Sequence, residues 1–139
     1  MRLFAAADIP GAVRAPLAVW GAACAGEIAG LRAIPAERLH LTLVFLGSRD
    51  DEEAPVIGEL VTACADGPVE VSLGEPLWLS PRRPHVTVAR VRRGAGVRPG
   101  DVALPRVPSP SFALEALTLY RSHPGPAPRY EALARTSLE

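Results

Sequence analysis

A four-residue pattern occurs twice in the chain and constrains how both segments can fold. His40-Leu41-Thr42-Leu43 and His85-Val86-Thr87-Val88 each alternate a polar residue with an apolar one. Successive side chains of a β-strand point to opposite faces of a sheet, so the alternation predicts two strands that each have one apolar face. The other face of each strand presents one imidazole and one hydroxyl. The two copies start 45 residues apart, which predicts an internal repeat around a shared cleft.

The two imidazoles predict acid–base chemistry. Because histidine has an ordinary pKa near about 6.5, one ring can accept a proton while its twin donates one. Threonine hydroxyls and nearby arginines can hold phosphate oxygens and offset charge in a transition state. The set therefore favours metal-free phosphoryl transfer. Structurally hydrogen-bonded histidines are the alternative explanation, and His123, in a turn-like segment without a threonine partner, is interpreted as an exposed loop residue.

Positive charge is concentrated beside the second copy of the motif. The whole chain has 15 basic and 15 acidic residues, so its formal net charge is zero. No acidic residue lies between Glu75 and Asp101, whereas six arginines do: Arg82, Arg83, Arg90, Arg92, Arg93 and Arg98. The zero net charge argues against a protein that coats polyanions, whereas the locally positive segment predicts an anion site.

Length and composition predict one globular domain. The chain has 139 residues, of which 48% are hydrophobic and 22% are charged, values close to those of ordinary globular proteins. It contains neither an apolar run of about 18 residues nor a signal-peptide pattern. We therefore expect a soluble cytoplasmic protein without a membrane segment. Cys24 and Cys64 lie in apolar helical patterns and are predicted to be two buried free thiols.

Periodicity predicts an α+β fold with two helices and several short strands. Apolar residues recur at helical spacing from Val13 to Ile28, with Pro16 expected to kink the helix or delay its start, and again from Ile57 to Cys64. Strand-like stretches cover residues 3–7, 38–46, 69–73, 85–91 and 112–120, and residues 93–110 are too rich in Pro and Gly for a regular element. Helices packed outside antiparallel sheets fit this order.

At its repeated tetrapeptides the chain resembles the two-histidine phosphoesterases, and most closely the RNA 2′,3′-cyclic phosphodiesterase (2′-5′ RNA ligase) family. The paired H-x-T-x motifs are the signature of that superfamily. Further similar segments are residues 2–10, 39–47, 83–90, 119–122 and 129–133. The resemblance thus spans the chain, although the stretch that leads into His85 is shorter than in the family. It identifies residues 1–139 as a single two-lobed phosphoesterase domain with a reduced second lobe.

The resemblance implies a bilobal fold in which both motif strands line a central cleft. It also implies opening of 2′,3′-cyclic phosphates to 2′-phosphomonoesters, on RNA ends or nucleotides, as in RNA processing. Neither a metal nor a nucleotide cofactor is expected for this reaction. We expect His85 to act as the base and His40 as the acid. Phosphate binding is expected from the motif threonines and two neighbouring arginines: Thr42, Thr87, Arg83 and Arg90. By strand parity Arg83 shares the face of His85, whereas Arg90 falls on the opposite face unless the strand bulges.

Two other functions remain open at the level of sequence. A non-catalytic RNA- or nucleotide-binding module could retain the motifs in a shallow cleft. A metalloenzyme could use His40, His85 and an acidic residue as ligands. The sequence also leaves open the physiological substrate, the direction of the reaction (hydrolysis or ligation) and the oligomeric state.

Overall fold

The computed structural model of the protein describes residues 1–76, 78, 83–98, 103–108 and 110–139, and in these residues it contains two α-helices and nine β-strands. The helices are α1 (Gly11–Glu27) and α2 (Ala54–Ala63), and a short 3-10 helix covers Ala36–Arg38. The strands are β1 (Arg2–Asp8), β2 (Leu31–Ala33), β3 (Leu41–Ser48), β4 (Glu70–Ser72), β5 (His85–Val86), β6 (Ala89–Val91), β7 (Ser111–Ala113), β8 (Ala116–His123) and β9 (Arg129–Ser137).

The strands form one large and two small antiparallel sheets. The large sheet has the order β5-β3-β1-β8-β9, and the small ones pair β2 with β6 and β4 with β7. The predicted α+β fold, with two helices and antiparallel sheets, is confirmed. Both motif strands, β3 and β5, are neighbours in the large sheet.

Helix covers one face of the large sheet, and the opposite face carries the side chains of the candidate site. Helix α2 packs on β8 and β9, where Gly58 lies against Ala134 and Leu119. These two residues are paired across the strands, so they share a face. Successive residues alternate sides, and the opposite face therefore carries Thr118 and Tyr120. The side chains of the candidate site belong to that second face.

Two apolar clusters anchor the elements that hold the motif strands. The first joins the large sheet to α1 and to the region of β7 through buried residues such as Ala7, Leu17, Leu41 and Phe112. The second contains Trp20, Cys24, Ile28 and Leu31. Trp20 and Cys24 belong to the apolar stripe predicted from the sequence, and α1 packs this stripe inward. Neither helix is long and apolar enough to cross a membrane, as far as the described residues show.

Several element boundaries differ from the sequence prediction. Helix α1 begins at Gly11 and continues through Pro16, so Pro16 does not delay its start, and the missing N–H removes only the hydrogen bond to the carbonyl of residue 12. The stretch 38–46 becomes a strand only from Leu41, because the preceding residues form the 3-10 helix. The stretch 85–91 is two strands, and so is 112–120. The described residues of the 93–110 segment contain no helix or strand, as predicted, and residues 99–102 and 109 lie outside them.

The prediction of two buried thiols is half wrong. Both cysteines are free, and Cys24 is buried, but Cys64 is exposed. Cys64 directly follows the last residue of α2, and Thr62 and Ala63 just before it are exposed as well. Burial raises the pKa of the Cys24 thiol above its ordinary value.

Two glycines of α1 provide a matched test of how tightly this helix packs on the second motif. A methyl group on Gly21 would lie 2.8 Å from the Val88 carbonyl oxygen, whereas one on Gly26 would have nothing within 4 Å. We expect Gly21→Ala to lower the free energy of unfolding by about 1–3 kcal/mol through overpacking. Gly26→Ala should leave it unchanged or raise it by up to about 1 kcal/mol through helix propensity. Urea unfolding of both variants measures the difference, and equal effects would contradict the packing described.

Candidate active site

The pairing of β3 with β5 brings the two motif copies together. Thr42 is paired with His85, and Leu41 with Val86. His40 immediately precedes Leu41 and Thr87 immediately follows Val86, so the same antiparallel register, continued by one residue, sets His40 beside Thr87. Each histidine thus neighbours the threonine of the other copy. Residues directly opposite in a sheet share a face. The two histidines and the two threonines of the motif copies therefore lie on the same face of the large sheet.

The His85 ring is held by the backbone just before it. Its Nδ1 lies 2.7 Å from the Arg83 carbonyl oxygen. A carbonyl oxygen can only accept, so Nδ1 carries the proton and donates it. In the neutral ring, Nε2 then keeps the lone pair that can take a proton. The exposed Phe45 ring lies beside it, with a centroid separation of 6.1 Å.

The His40 ring, by contrast, lies among aromatic side chains. It stacks on Phe4 at 5.0 Å and meets Tyr130 edge-on at 5.2 Å, with Tyr120 at 5.8 Å. Burial among these rings lowers the pKa of His40 to about 4, against the opposing influence of the Arg38 backbone and the Asp8 carboxylate; the charges of His85 and Arg90 lower it further. His40 is therefore a neutral imidazole at pH 7 in the unliganded protein.

A hydrogen-bond network under His40 was missed by the sequence analysis. Asp8 Oδ1 accepts a 2.6 Å hydrogen bond from the Tyr120 hydroxyl. Asp8 Oδ2 accepts from Thr118 Oγ1 at 3.0 Å and from Arg135 Nε at 2.8 Å. Burial, aided by the Asp8 carboxylate, raises the pKa of Tyr120 to about 12, so this tyrosine stays a donor. The signal in the sequence was an acidic residue at the end of an otherwise apolar strand, in Leu3–Asp8.

The structure places the predicted phosphate ligands at different depths. Thr42 is only 3% exposed, so its hydroxyl belongs to the floor of the site. Thr87 lies in the break between β5 and β6, half-buried. This break changes the strand direction, and Arg90, paired with Arg32 on β2, acts on His40 electrostatically. Arg83 is exposed and contributes its carbonyl group to His85.

The other arginines of the positive segment lie outside this arrangement. Arg92, Arg93 and Arg98 are exposed, and Arg82 lies outside the described residues. His123 is not a loop residue as predicted. It ends strand β8 and its Nε2 lies 2.6 Å from Glu131 Oε2, and this hydrogen bond is the main reason that the pKa of Glu131 is lowered.

An open pocket of about 550 Å³ borders His40. Its floor includes Tyr120 and Tyr130, and its walls come from the 3-10 helix with β2 and from the turn between β8 and β9. Among the described residues, no three His, Cys, Asp or Glu side chains cluster as ligands of a metal ion would. The groups gathered at the site are thus imidazoles, hydroxyls, guanidinium groups and aromatic rings.

Comparison with known proteins identifies the family of the chain. The RNA 2′,3′-cyclic phosphodiesterase of Thermus thermophilus is 31% identical over 189 aligned positions, which cover 99% of this chain and 90% of that protein. The chain belongs to the RNA 2′,3′-cyclic phosphodiesterase family. The alignment is longer than the 139-residue chain, so the Thermus phosphodiesterase has segments that this family member lacks. No protein-family model matches the sequence.

Solved structures support membership of the cyclic phosphodiesterase family at the level of the fold. The Thermus thermophilus protein TT0787 superposes with a TM-score of 0.74 at 26% identity, covering 99% of this chain and 98% of the other. The Escherichia coli protein LigT in complex with phosphate gives a TM-score of 0.68 at 25% identity, covering 99% and 96%. Both likenesses extend over almost the entire chain.

Burial of His40 makes the stability of the unliganded protein depend on pH. An unfolded histidine titrates near about pH 6.5, whereas folded His40 titrates at about 4. Between these values the unfolded chain binds a proton that the folded protein does not, so stability falls as the pH decreases through this window, by up to about 3 kcal/mol. We expect urea unfolding from pH 7 to pH 4.5 to show this loss, and His40→Gln to lack it.

NMR titration of the three histidine rings checks the cause of this pH dependence directly. The His40 resonances should keep their neutral-ring positions down to about pH 5 and reach the midpoint of their titration near pH 4. A His40 ring that titrates at the ordinary value would contradict the buried aromatic environment.

Proposed function

We propose that residues 1–139 form one two-lobed domain that hydrolyses 2′,3′-cyclic phosphates of RNA ends or nucleotides to 2′-phosphomonoesters, without a metal, by acid–base catalysis with His40 and His85. The register that pairs Thr42 with His85 carries this proposal. It gathers two imidazoles and two hydroxyls from separate parts of the chain on one small area. Membership of the cyclic phosphodiesterase family supplies the substrate class.

In this proposal, His85 activates the attacking water. Its ring is partly accessible, and Nδ1 is already committed to the Arg83 carbonyl, so the free Nε2 lone pair takes the proton of a water molecule that arrives from solvent. His40 is half-buried against the rings of Phe4, Tyr120 and Tyr130. Because burial disfavours the charged imidazole, a protonated His40 readily gives its proton to the departing oxygen.

The substrate itself supplies the charge that His40 needs. Free His40 is neutral at pH 7 because its pKa is about 4. A phosphate monoanion about 5 Å from the ring stabilises the imidazolium by about 3 kcal/mol at an effective dielectric constant of about 20. That energy offsets most of the effect of burial and raises the pKa of His40 toward its ordinary range. Binding of the anion is therefore accompanied by uptake of the proton that the reaction uses.

In the chemical step, one proton passes from water to His85 and another passes from His40 to the leaving oxygen. The water oxygen forms a bond to phosphorus while His85 Nε2 takes its proton, and the bond from phosphorus to O3′ breaks as His40 protonates O3′. Thr42, Thr87, Arg83 and Arg90 hold the non-bridging oxygens and offset their charge. Exchange with solvent then removes the proton from His85 and restores His40 for the next substrate.

The phosphate-bound and ATP-bound structures of LigT, at 25% and 26% identity, support an anionic nucleotide ligand for this chain as well. The two free cysteines are consistent with the expected location in the cytoplasm.

Removal of either motif histidine tests the proposal directly. We expect His40→Ala and His85→Ala each to lower kcat on adenosine 2′,3′-cyclic phosphate by at least about 100-fold, the usual contribution of one acid or base. His123→Ala is the matched control and should retain wild-type activity. Circular dichroism confirms the fold of each variant. If either motif variant keeps near-normal turnover, or if phosphate binds without any turnover by wild type, the acid–base pair is wrong and a binding module is favoured.

A change of leaving group tests which histidine is the acid. A diester that releases p-nitrophenolate needs no proton on its leaving oxygen. We expect His40→Ala to lose much less activity on such a p-nitrophenyl ester than on the cyclic phosphate, whereas His85→Ala loses similar activity on both. The opposite pattern would exchange the two roles.

A further inference from the structure

The pocket beside His40 lies where the reaction needs the nucleoside. Its volume of about 550 Å³ is within the range of about 300–1,000 Å³ that small-molecule sites occupy. Of the four motif residues with a histidine or threonine side chain, His40 alone borders it. It is therefore on the acid side of the site, and this inference rests on the proposed function.

Displacement at phosphorus places the attacking and leaving oxygens roughly in line. If water enters from His85, the leaving O3′ and the ribose that carries it lie on the His40 side. The nucleoside then enters this pocket. Tyr130, half-buried on the floor, offers an aromatic ring next to His40, and aromatic rings of this kind stack on bases.

Charge in the pocket indicates what else it holds. Three arginines line it, Arg32, Arg38 and Arg129, against one acid, Glu37. Arg38 donates a 3.2 Å hydrogen bond to the Pro128 carbonyl and so ties the two walls together. Arg32 and Arg129 are exposed and come from opposite walls, β2 and β9. An anion between these walls would meet two guanidinium groups.

We propose that this pocket is a nucleotide subsite in which Tyr130 contacts the terminal nucleoside and Arg32 with Arg129 binds the phosphate on its 5′ side. The turn that forms one wall contains Pro126 and Pro128, and the other wall contains Pro35. Proline fixes the backbone in advance, so little order is lost when the ligand enters. The subsite selects substrates that carry a 5′-phosphate over cyclic nucleosides with a 5′-hydroxyl.

Two substrates that differ only at the 5′ position test the subsite. Wild type should show a kcat/KM for 5′-phosphoadenosine 2′,3′-cyclic phosphate about tenfold higher than for adenosine 2′,3′-cyclic phosphate at about 50 mM salt. This preference should shrink at about 500 mM salt, where exposed charges are screened. A wild-type preference near one at both salt concentrations overturns the inference, while turnover of both substrates leaves the proposed function standing.

Variants assign the preference to the two arginines. Arg32→Ala and Arg129→Ala should each reduce the ratio of the two kcat/KM values by about threefold, and the double variant should bring it near one. Arg93→Ala, an exposed arginine outside the pocket, is the matched control and should keep the wild-type ratio. A ratio unchanged in the double variant, with its fold verified by circular dichroism, overturns the assignment.

Product binding provides a readout that does not depend on turnover. Calorimetry should show tighter binding of adenosine 2′,5′-bisphosphate than of 2′-AMP to wild type, and the double variant should lose this difference. If wild type hydrolyses neither cyclic substrate yet keeps the binding difference, the proposed function fails and the subsite stands. Equal affinities for the two products overturn the subsite.

Discussion

The short antiparallel ladder between β3 and β5 is the interaction on which the site depends. Among the described residues two pairs form it, Leu41 with Val86 and Thr42 with His85. The far side of the second motif is held separately: Ile34 N donates a 2.9 Å hydrogen bond to the Val88 carbonyl oxygen, and Gly21 of α1 packs closely against the same carbonyl. The second motif is thus fixed between the large sheet and the α1–β2 unit. In a chain shorter than its Thermus relative, these few contacts position His85.

Much of the fold was predictable because local patterns and tertiary packing agree. The apolar stripe of α1 is buried along one side, and one-sided burial is what sequence periodicity reports. The patterns failed where the chain changes direction within an apolar stretch. Residues 85–91 are predicted as one strand, yet Val88 hydrogen-bonds to Ile34 in place of continuing the ladder. Such a break depends on a partner that is distant in sequence, so no local pattern records it.

The sequence predicted the motif residues of the candidate site but not the residues that surround them. Alternation alone grouped His40, Thr42, His85 and Thr87 as a set, and the register agrees with that grouping. The residues that define the environment of His40, such as Phe4, Tyr120 and Asp8, come from β1 and β8 and follow no motif. They reach His40 only because β1 lies between β3 and β8 in the sheet. Strand order is a property of the whole chain, and the sequence carries no short-range signal of it.

Two nearly identical tetrapeptides therefore acquire different chemistry from their neighbours. Both histidines interact with the backbone two residues earlier, His85 with Arg83 and His40 with Arg38, so the local geometry is repeated. The difference is the surroundings: His40 packs against Phe4, Tyr120 and Tyr130 near the Asp8 network, whereas His85 has the exposed Phe45 ring beside it. Desolvation disfavours a charged imidazole by an amount that an incoming phosphate anion can offset. In the proposed mechanism, His40 therefore gains its proton as the phosphate binds, which links protonation of the proposed acid to occupancy of the site.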